Sequence, residues 1–373
     1  MEGNYKGRVL FILNPGHGNA TAKIRGTIYE ELLKREGWII AFASISSDKN
    51  NPEFDKYKRS DQEIIEMAKN YDLIYLLKVN KYFLIKKIQK STNAKIVFDL
   101  TDALWRRGFR KAWIFLEEIL QLSDAIFSEN EYVCEYARRF NDNVFSLAAC
   151  TQTEKFEKHK QVSNKNKNNK VVIGWIGSEP TITAIYSIIK PLERLFSKHP
   201  NLELRILGCA DNGIKTRLRN IRYSLVGKYS EDEMIHEAHS MDIGIFPPPG
   251  DMEDYRIRGA LKGMIYMSAA IPAVCFNSGD AAKMIKDGVT GMLVNNEAEW
   301  ETKIEKLVLD PNLRESMGSK AFEFIKREHS LEKVGQSLSM AFSEVLKLKR
   351  IKKKNKISSL KKIKILINTI LLK

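Results

Sequence analysis

Val171-Val172-Ile173-Gly174-Trp175-Ile176-Gly177-Ser178 is an apolar run that stops at a glycine and a serine. Its β-branched and aromatic character reads as a buried strand, and the Gly-Ser pair reads as the turn that ends it. Thr181, Ile185, Ile188, Ile189 and Leu192 follow at helical spacing, which predicts a helix after the turn. Strand, glycine turn and helix in this order open a βαβ unit, because parallel strands need a helical crossover. Gly177 lets the backbone come close to a ligand, and Ser178 can cap the helix or donate to a phosphate. A plain turn that binds nothing is the competing reading.

The same alternation extends to both sides. Downstream, Leu202–Leu207, Tyr223–Val226, Ile243–Phe246, Ala273–Cys275 and Met292–Val294 read as strands with helices between them. Upstream, Arg8–Asn14, Trp38–Ser44, Leu73–Leu77, Ile96–Phe98 and Ala125–Phe127 do the same, with a helix over Ala20–Arg35. Between the two sets, Lys158–Lys170 has a single apolar residue and reads as an exposed connector. Residues 297–348 read as successive helices, stopped and restarted at Asp310-Pro311-Asn312. The expected class is α/β: two doubly wound domains at 1–160 and 171–330, a helix at 331–348 and a tail at 349–373. Two such halves imply a cleft, and ligands of such sheets bind beyond the carboxyl ends of the strands.

Composition narrows the function. The chain has 373 residues, with 61 Lys+Arg against 46 Asp+Glu and a formal net charge of +15. Eleven of those cations lie between Lys347 and Lys373, where there is no acid. Fifteen less eleven leaves +4 for the first 346 residues. A mildly basic body argues against a nucleic-acid binder, which spreads cations over one face of its fold. The four cysteines, at 134, 150, 209 and 275, form no CxxC, so buried thiols in a reducing compartment are expected. The apolar runs Val9–Leu13 and Ile365–Leu372 are too short for a signal peptide or a spanning helix, so a cytoplasmic location is expected.

Asp242-Ile243-Gly244-Ile245-Phe246-Pro247 is a strand cut off by prolines. After it come Gly250-Asp251-Met252-Glu253-Asp254, then Arg256, Arg258 and Lys262, which starts a helix running to Ala270. An abrupt strand end, an acidic loop and cations at a helix start suit a sugar diphosphate, whose leaving-group charge the cations would offset. In the first half, Asn14-Pro15-Gly16-His17-Gly18 follows a strand, and His17 is a candidate polar contact or base. Asp99 and Asp102 also follow a strand, as helix caps or as groups facing an acceptor. Trp105, Arg106, Arg107, Phe109, Arg110, Lys111 and Trp113 form a basic and aromatic stretch that could meet an anionic lipid-linked acceptor or be a solvated face. His236 and His239 sit three apart on a helix without an evident third metal ligand.

Taken in order, these motifs resemble glycosyltransferase family 4, the group 1 transferases of GT-B architecture, over roughly 8–335. The likeness rests on Ile173–Ser178 with Thr181 and Thr183, on Asp242–Pro247, on Lys262 through Tyr266-Met267-Ser268-Ala269, on Ile271-Pro272, and on Gly288-Val289-Thr290-Gly291-Met292-Leu293. In the first half, Val97–Trp105, Asn130-Glu131-Tyr132 and Thr153–Phe156 fit one branch of that family. The resemblance implies two Rossmann-like domains, the first for the acceptor and the second for a nucleotide-sugar donor. It implies retaining transfer to a cell-surface glycan or lipid-linked acceptor, with no cofactor and no metal. By position, Gly177 and Ser178 would approach the donor phosphates, Lys262 would pair with them, and Asp251, Glu253 and Asp254 would lie near the donor sugar; apart from the resemblance, Arg258 is a further candidate cation, and Gly16 and Gly18 could face the donor phosphates or the acceptor. Two departures stand out: Ile257 and Ile265 occupy the positions of the family's E-x7-E carboxylates, and Ala270 stands where glycine is usual. They keep a second reading open, a degenerate transferase fold acting as a non-catalytic membrane-associated scaffold. A dinucleotide-dependent oxidoreductase is a third reading, weakened because Thr21 replaces the third glycine of the fingerprint after Gly18.

The tail sorts Ile357, Leu360, Ile363, Ile367 and Ile370 onto one helical stripe amid lysines. This is the pattern of a basic amphipathic helix for an anionic membrane surface, at the inner face of the membrane. A disordered solubilising tail and a partner-binding helix are the rival readings.

Overall fold

A computed structural model of the chain describes residues 5–15, 19–47, 52–106, 112–160, 170–210, 213–248 and 260–349. The chain divides into two units, 1–129 with 133–147 and 335–373, and 130–132 with 148–334.

The first unit is built on six parallel strands: β1 (Gly7–Leu13), β2 (Trp38–Ser44), β3 (Leu73–Leu77), β4 (Lys95–Asp99), β5 (Ala125–Ser128) and β6 (Val144–Ser146). They lie in the order β2-β1-β3-β4-β5-β6. Every residue of β3, β4 and β5 is buried, as expected when helices cover both faces of a parallel sheet. The three-residue edge strand β6, with Val144 and Phe145 only half-buried, was not foreseen.

The second unit has β7 (Val171–Ile176), β8 (Leu202–Leu207), β9 (Tyr223–Val226), β10 (Ile243–Phe246), β11 (Ala273–Phe276) and β12 (Gly291–Val294). Their order is β12-β11-β10-β7-β8-β9, again all parallel. The chain runs outward from β7 through β8 to β9 and then restarts on the other side of β7 with β10. This reversal makes the β7/β10 boundary the switch point of the sheet, and the crevice of a doubly wound fold opens at the carboxyl ends of two such strands.

Domain boundaries differ from expectation at both ends. Helix Thr153–Lys160 belongs to the second unit, because Lys155 pairs with Glu231 at 2.8 Å and buried Phe156 joins that unit's core. Helix Leu331–Lys347 belongs to the first unit from Gly335 onward. There Phe342 is fully buried against the rings of Phe11, Trp38, Tyr75 and Phe127, and Ser339 accepts a 2.9 Å hydrogen bond from Trp38 Nε1.

Two helices are more broken than their periodicity suggests. The expected Ala20–Arg35 helix is Asn19–Ile24, a 3-10 turn Thr27–Tyr29 and Glu30–Arg35. Gly26 marks the break, where a Cβ would collide with the Ala22 carbonyl. The expected helix after Gly177 is a 3-10 turn Glu179–Thr181, a four-residue helix Thr183–Tyr186 and a helix Ile189–Lys198. Pro180 has no N–H to give to a regular ladder at its start. All four cysteines are buried, and none is in a disulfide. Among the described residues, no helix is long and apolar enough to cross a membrane.

Candidate functional site at the strand ends of the second unit

Trp175 fixes the geometry at the end of β7. It is fully buried, and its ring lies so close under the turn that a Cβ on Gly177 would collide with it. Gly208, at φ +90°, closes the neighbouring end of β8, where a Cβ would strike the Gly177 carbonyl. Glycine is thus demanded twice, by a ring and by a carbonyl, before any ligand is considered. The turn also uses its own donors: Gly177 N–H bonds to Leu207 O at 2.9 Å, and Ser178 N–H to Thr181 Oγ1 at 3.2 Å. Ser178 itself is exposed. With only a 3-10 turn behind it, this loop lacks the long helix whose dipole would draw an anion.

Lys262 supplies charge at the same edge. It is the second residue of helix Leu261–Ser268, and its Nζ lies 4.3 Å from the centre of the Trp175 ring and 5.5 Å from that of Phe246. Those rings end β7 and β10, so the ammonium stands at the switch point on aromatic faces that favour a cation. Its field also reaches the end of β8. Burial pushes the Cys209 thiol up to about 11, the Glu179 carboxylate adds to the shift, and Lys262 opposes it.

Tyr266, one helical turn after Lys262, holds the helix in place. Its hydroxyl accepts from Ile176 N–H at 2.9 Å and donates to Ile245 O at 3.1 Å, tying β7 to β10 across the switch point. Its ring lies flat on Gly244, where a Cβ would clash. Burial raises the phenol far above its ordinary range, so it stays a neutral donor and acceptor. The sequence presented Tyr266 only as part of a motif; its four-residue spacing from Lys262 was the signal that both face the same strands.

Behind the helix, Ala270 has φ +56°, a left-handed conformation that L-residues other than glycine avoid. This gives a physical reason for glycine's being usual there. Ile265 is half-buried and packs on the core, so no carboxylate is present at its position.

The carboxyl edge of the first unit has a different chemistry. Asp99 is fully buried and accepts through Oδ2 from Arg25 Nε at 2.8 Å and from the Tyr75 hydroxyl. Its Oδ1 is buried without a hydrogen-bond partner among the described residues. Arg25 also reaches Glu129 at 3.1 Å. Asp99 is therefore the hub of a buried charge cluster rather than a helix cap. Asp102 pairs with Lys78 at 2.6 Å, and Lys78, at φ +54°, receives a 2.9 Å bond on its carbonyl from Asn14 Nδ2. Trp113 is core, against Phe98, and Trp105 stacks on Tyr136, so neither of these two rings forms a free aromatic face. His239 is buried and its Nε2 lies 2.8 Å from Phe156 O, while His236 is exposed, so the two do not share a metal site.

Gly16, His17, Gly18, Arg107, Phe109, Arg110, Lys111, Asp251, Glu253, Asp254, Arg256, Ile257, Arg258 and the tail from Arg350 lie outside the described residues. Of the residues expected at the donor, Gly177, Ser178 and Lys262 are described; the first two form the turn that ends β7, and Lys262 stands over Trp175, the residue two before Gly177.

Residues 170–310 match the family described as glycosyl transferases group 1. The capsular polysaccharide biosynthesis glycosyltransferase CapM of Staphylococcus aureus is 23% identical over 210 residues, covering 52% of this chain and 53% of that protein. The D-inositol 3-phosphate glycosyltransferase of Corynebacterium kroppenstedtii is 24% identical over 178 residues, 42% of this chain and 37% of that one. The chain thus spans about half or less of the curated relatives it matches. A glycosyltransferase from Rickettsia africae shares the fold with a TM-score of 0.69 at 17% identity, covering 93% of this chain and 100% of that one. Anabaena HepE, solved in complex with UDP-glucose, gives 0.66 at 13%, covering 91% and 100%. The two six-stranded parallel sheets are those of the GT-B glycosyltransferases. The likeness to the glycosyl transferases group 1 lies in the second unit, over residues 170–310.

Proposed function

We propose that the protein transfers a sugar, with retention and without a metal, from a nucleoside-diphosphate sugar to a cell-surface glycan or lipid-linked acceptor. The observation that carries this reading is the Lys262 ammonium on the faces of Trp175 and Phe246 at the β7/β10 switch point. Breaking a glycosyl–diphosphate bond builds negative charge on the departing phosphate. A cation already oriented there favours the transition state over the ground state. Gly177 and Ser178 would bring the backbone to the phosphates. Arg258, Asp251, Glu253 and Asp254 would meet phosphate and sugar, Gly16 and Gly18 would face the donor phosphates or the acceptor, and His17 would be a polar contact or base. A UDP-sugar is the first donor to try, since HepE was solved with UDP-glucose and CapM is named for capsular polysaccharide biosynthesis. The 349–373 tail would keep the protein at an anionic membrane surface on the cytoplasmic side.

Ile265 in place of a carboxylate specifically favours a second reading, a scaffold that has lost ribose recognition. Incubating the chain with a panel of nucleotide sugars without acceptor separates the two. Slow release of free sugar from one donor, with a rise in melting temperature for that donor alone, supports the transferase. No stabilisation and no release across the panel leaves the scaffold.

A further inference from the structure

Helix Tyr82–Ser91 buries Tyr82, Leu84, Ile85 and Ile88 and turns Phe83, Lys87 and Lys90 outward. Those three positions are four and three residues apart, so they form one stripe. Phe83 is 60% exposed although one side of its ring is held by Tyr82 and Phe115, at 5.2 and 5.7 Å between centres. Neither Lys87 nor Lys90 has an ion pair among the described residues. Between Asp72 and Asp99 there are six lysines and no acid. At the far end of the stripe, Lys90 lines a hollow of about 560 Å³ together with Asp72, Lys95, Leu346 and Lys69, which is paired with Glu66. Lys95 Nζ donates to Leu348 O at 2.5 Å, so the hollow lies where the chain departs toward residue 350.

We propose that this stripe, Phe83-Lys87-Lys90, is the face on which the first unit lies against an anionic lipid surface, with the Phe83 ring entering the interface. An outward aromatic ring followed by unneutralised ammonium groups is the chemistry of an interfacial helix. The 349–373 tail is not the occupant, because its ten cations and lack of acids would repel the stripe. A second copy would present the same lysines to themselves. A negatively charged lipid surface matches both the stripe and the adjoining tail, and each lysine near such a surface contributes about 1 kcal/mol, roughly fivefold in partition. The inference extends the membrane reading of the tail, and the two fail separately.

The test uses the full chain carrying Phe83→Cys labelled with an environment-sensitive fluorophore, which the four buried native cysteines leave as the accessible thiol among the described residues. Leu309→Cys, 66% exposed in the second unit, is the control. On vesicles containing phosphatidylglycerol the label at 83 should shift to shorter wavelength while that at 309 does not, and pure phosphatidylcholine should produce neither shift. Lys87→Gln with Lys90→Gln should lower vesicle partition by about thirtyfold at low salt. Vesicle binding with a silent label at 83 overturns this proposal and leaves the tail reading standing. No vesicle binding by the full chain overturns both.

Discussion

The carboxyl edges of the two sheets are made of opposite materials. In the first unit the edge is charge set against charge: Arg25 between Asp99 and Glu129, and Lys78 on Asp102. In the second unit an ammonium rests on ring faces, Lys262 over Trp175 and Phe246. Ions paired inside a protein hold a shape, whereas aromatic faces orient a cation by their ring quadrupoles. The same doubly wound architecture thus yields one edge built on ion pairs and one built on a cation over rings.

The contrast breaks most visibly at Arg25. Arg25→Leu leaves Asp99 buried without its partner and should cost about 3–5 kcal/mol of stability, read as a large fall in the urea midpoint. A change within error would mean that the cluster is not closed. In the second unit the corresponding tie is a hydroxyl. Tyr266→Phe strands the Ile176 N–H and the Ile245 carbonyl, at about 1–3 kcal/mol. Because that tie positions Lys262, donor binding should weaken along with the melting temperature.

Ala270→Gly should act in the other direction. Relief of a left-handed alanine is worth about 1 kcal/mol, less the entropy that glycine adds to the unfolded chain. A small rise in melting temperature with unchanged activity is expected, and a fall would show the φ to be unstrained.

Glu129 gives the smallest effect and sharpens the comparison by its sign. Burial holds its carboxyl above the ordinary 4.5, with Arg25 opposing. The native state therefore keeps that proton longer than the unfolded chain does. Its contribution is greatest below pH 4.5 and is lost as pH rises through the raised value. Glu129→Gln keeps the protonated shape, so the variant should gain on the native chain in melting temperature as pH rises above 4.5. A difference that does not vary with pH would contradict the assignment.

Strands were legible wherever a sharp signal closed them. Gly177 ends β7, Pro247 follows β10, and the apolar runs of β2, β3 and β8 stop at polar residues or glycine. The helices after β1 and β7 were overextended. Apolar spacing at Ile185, Ile188, Ile189 and Leu192 continues smoothly across the break between Tyr186 and Ile189 and so does not register it. Lys262 was legible from its place after a proline-ended strand. Arg25 was not, because its partners lie 74 and 104 residues away and no local pattern joins them. Tyr266 was visible as a letter in a motif but not as the bridge between β7 and β10, since that role depends on Gly244 being bare enough to receive its ring.

The most direct test of the account is calorimetric binding of UDP, and of other nucleoside diphosphates if UDP fails, to the native chain and to Lys262→Ala. Removing a preorganised donor to phosphate costs about 2.7–4 kcal/mol at the transition state, so turnover should fall about a hundredfold or more. Diphosphate affinity should weaken at least about tenfold while the melting temperature stays close to that of the native chain. Equal affinity and equal turnover in the two proteins would remove Lys262 from the site and contradict the account.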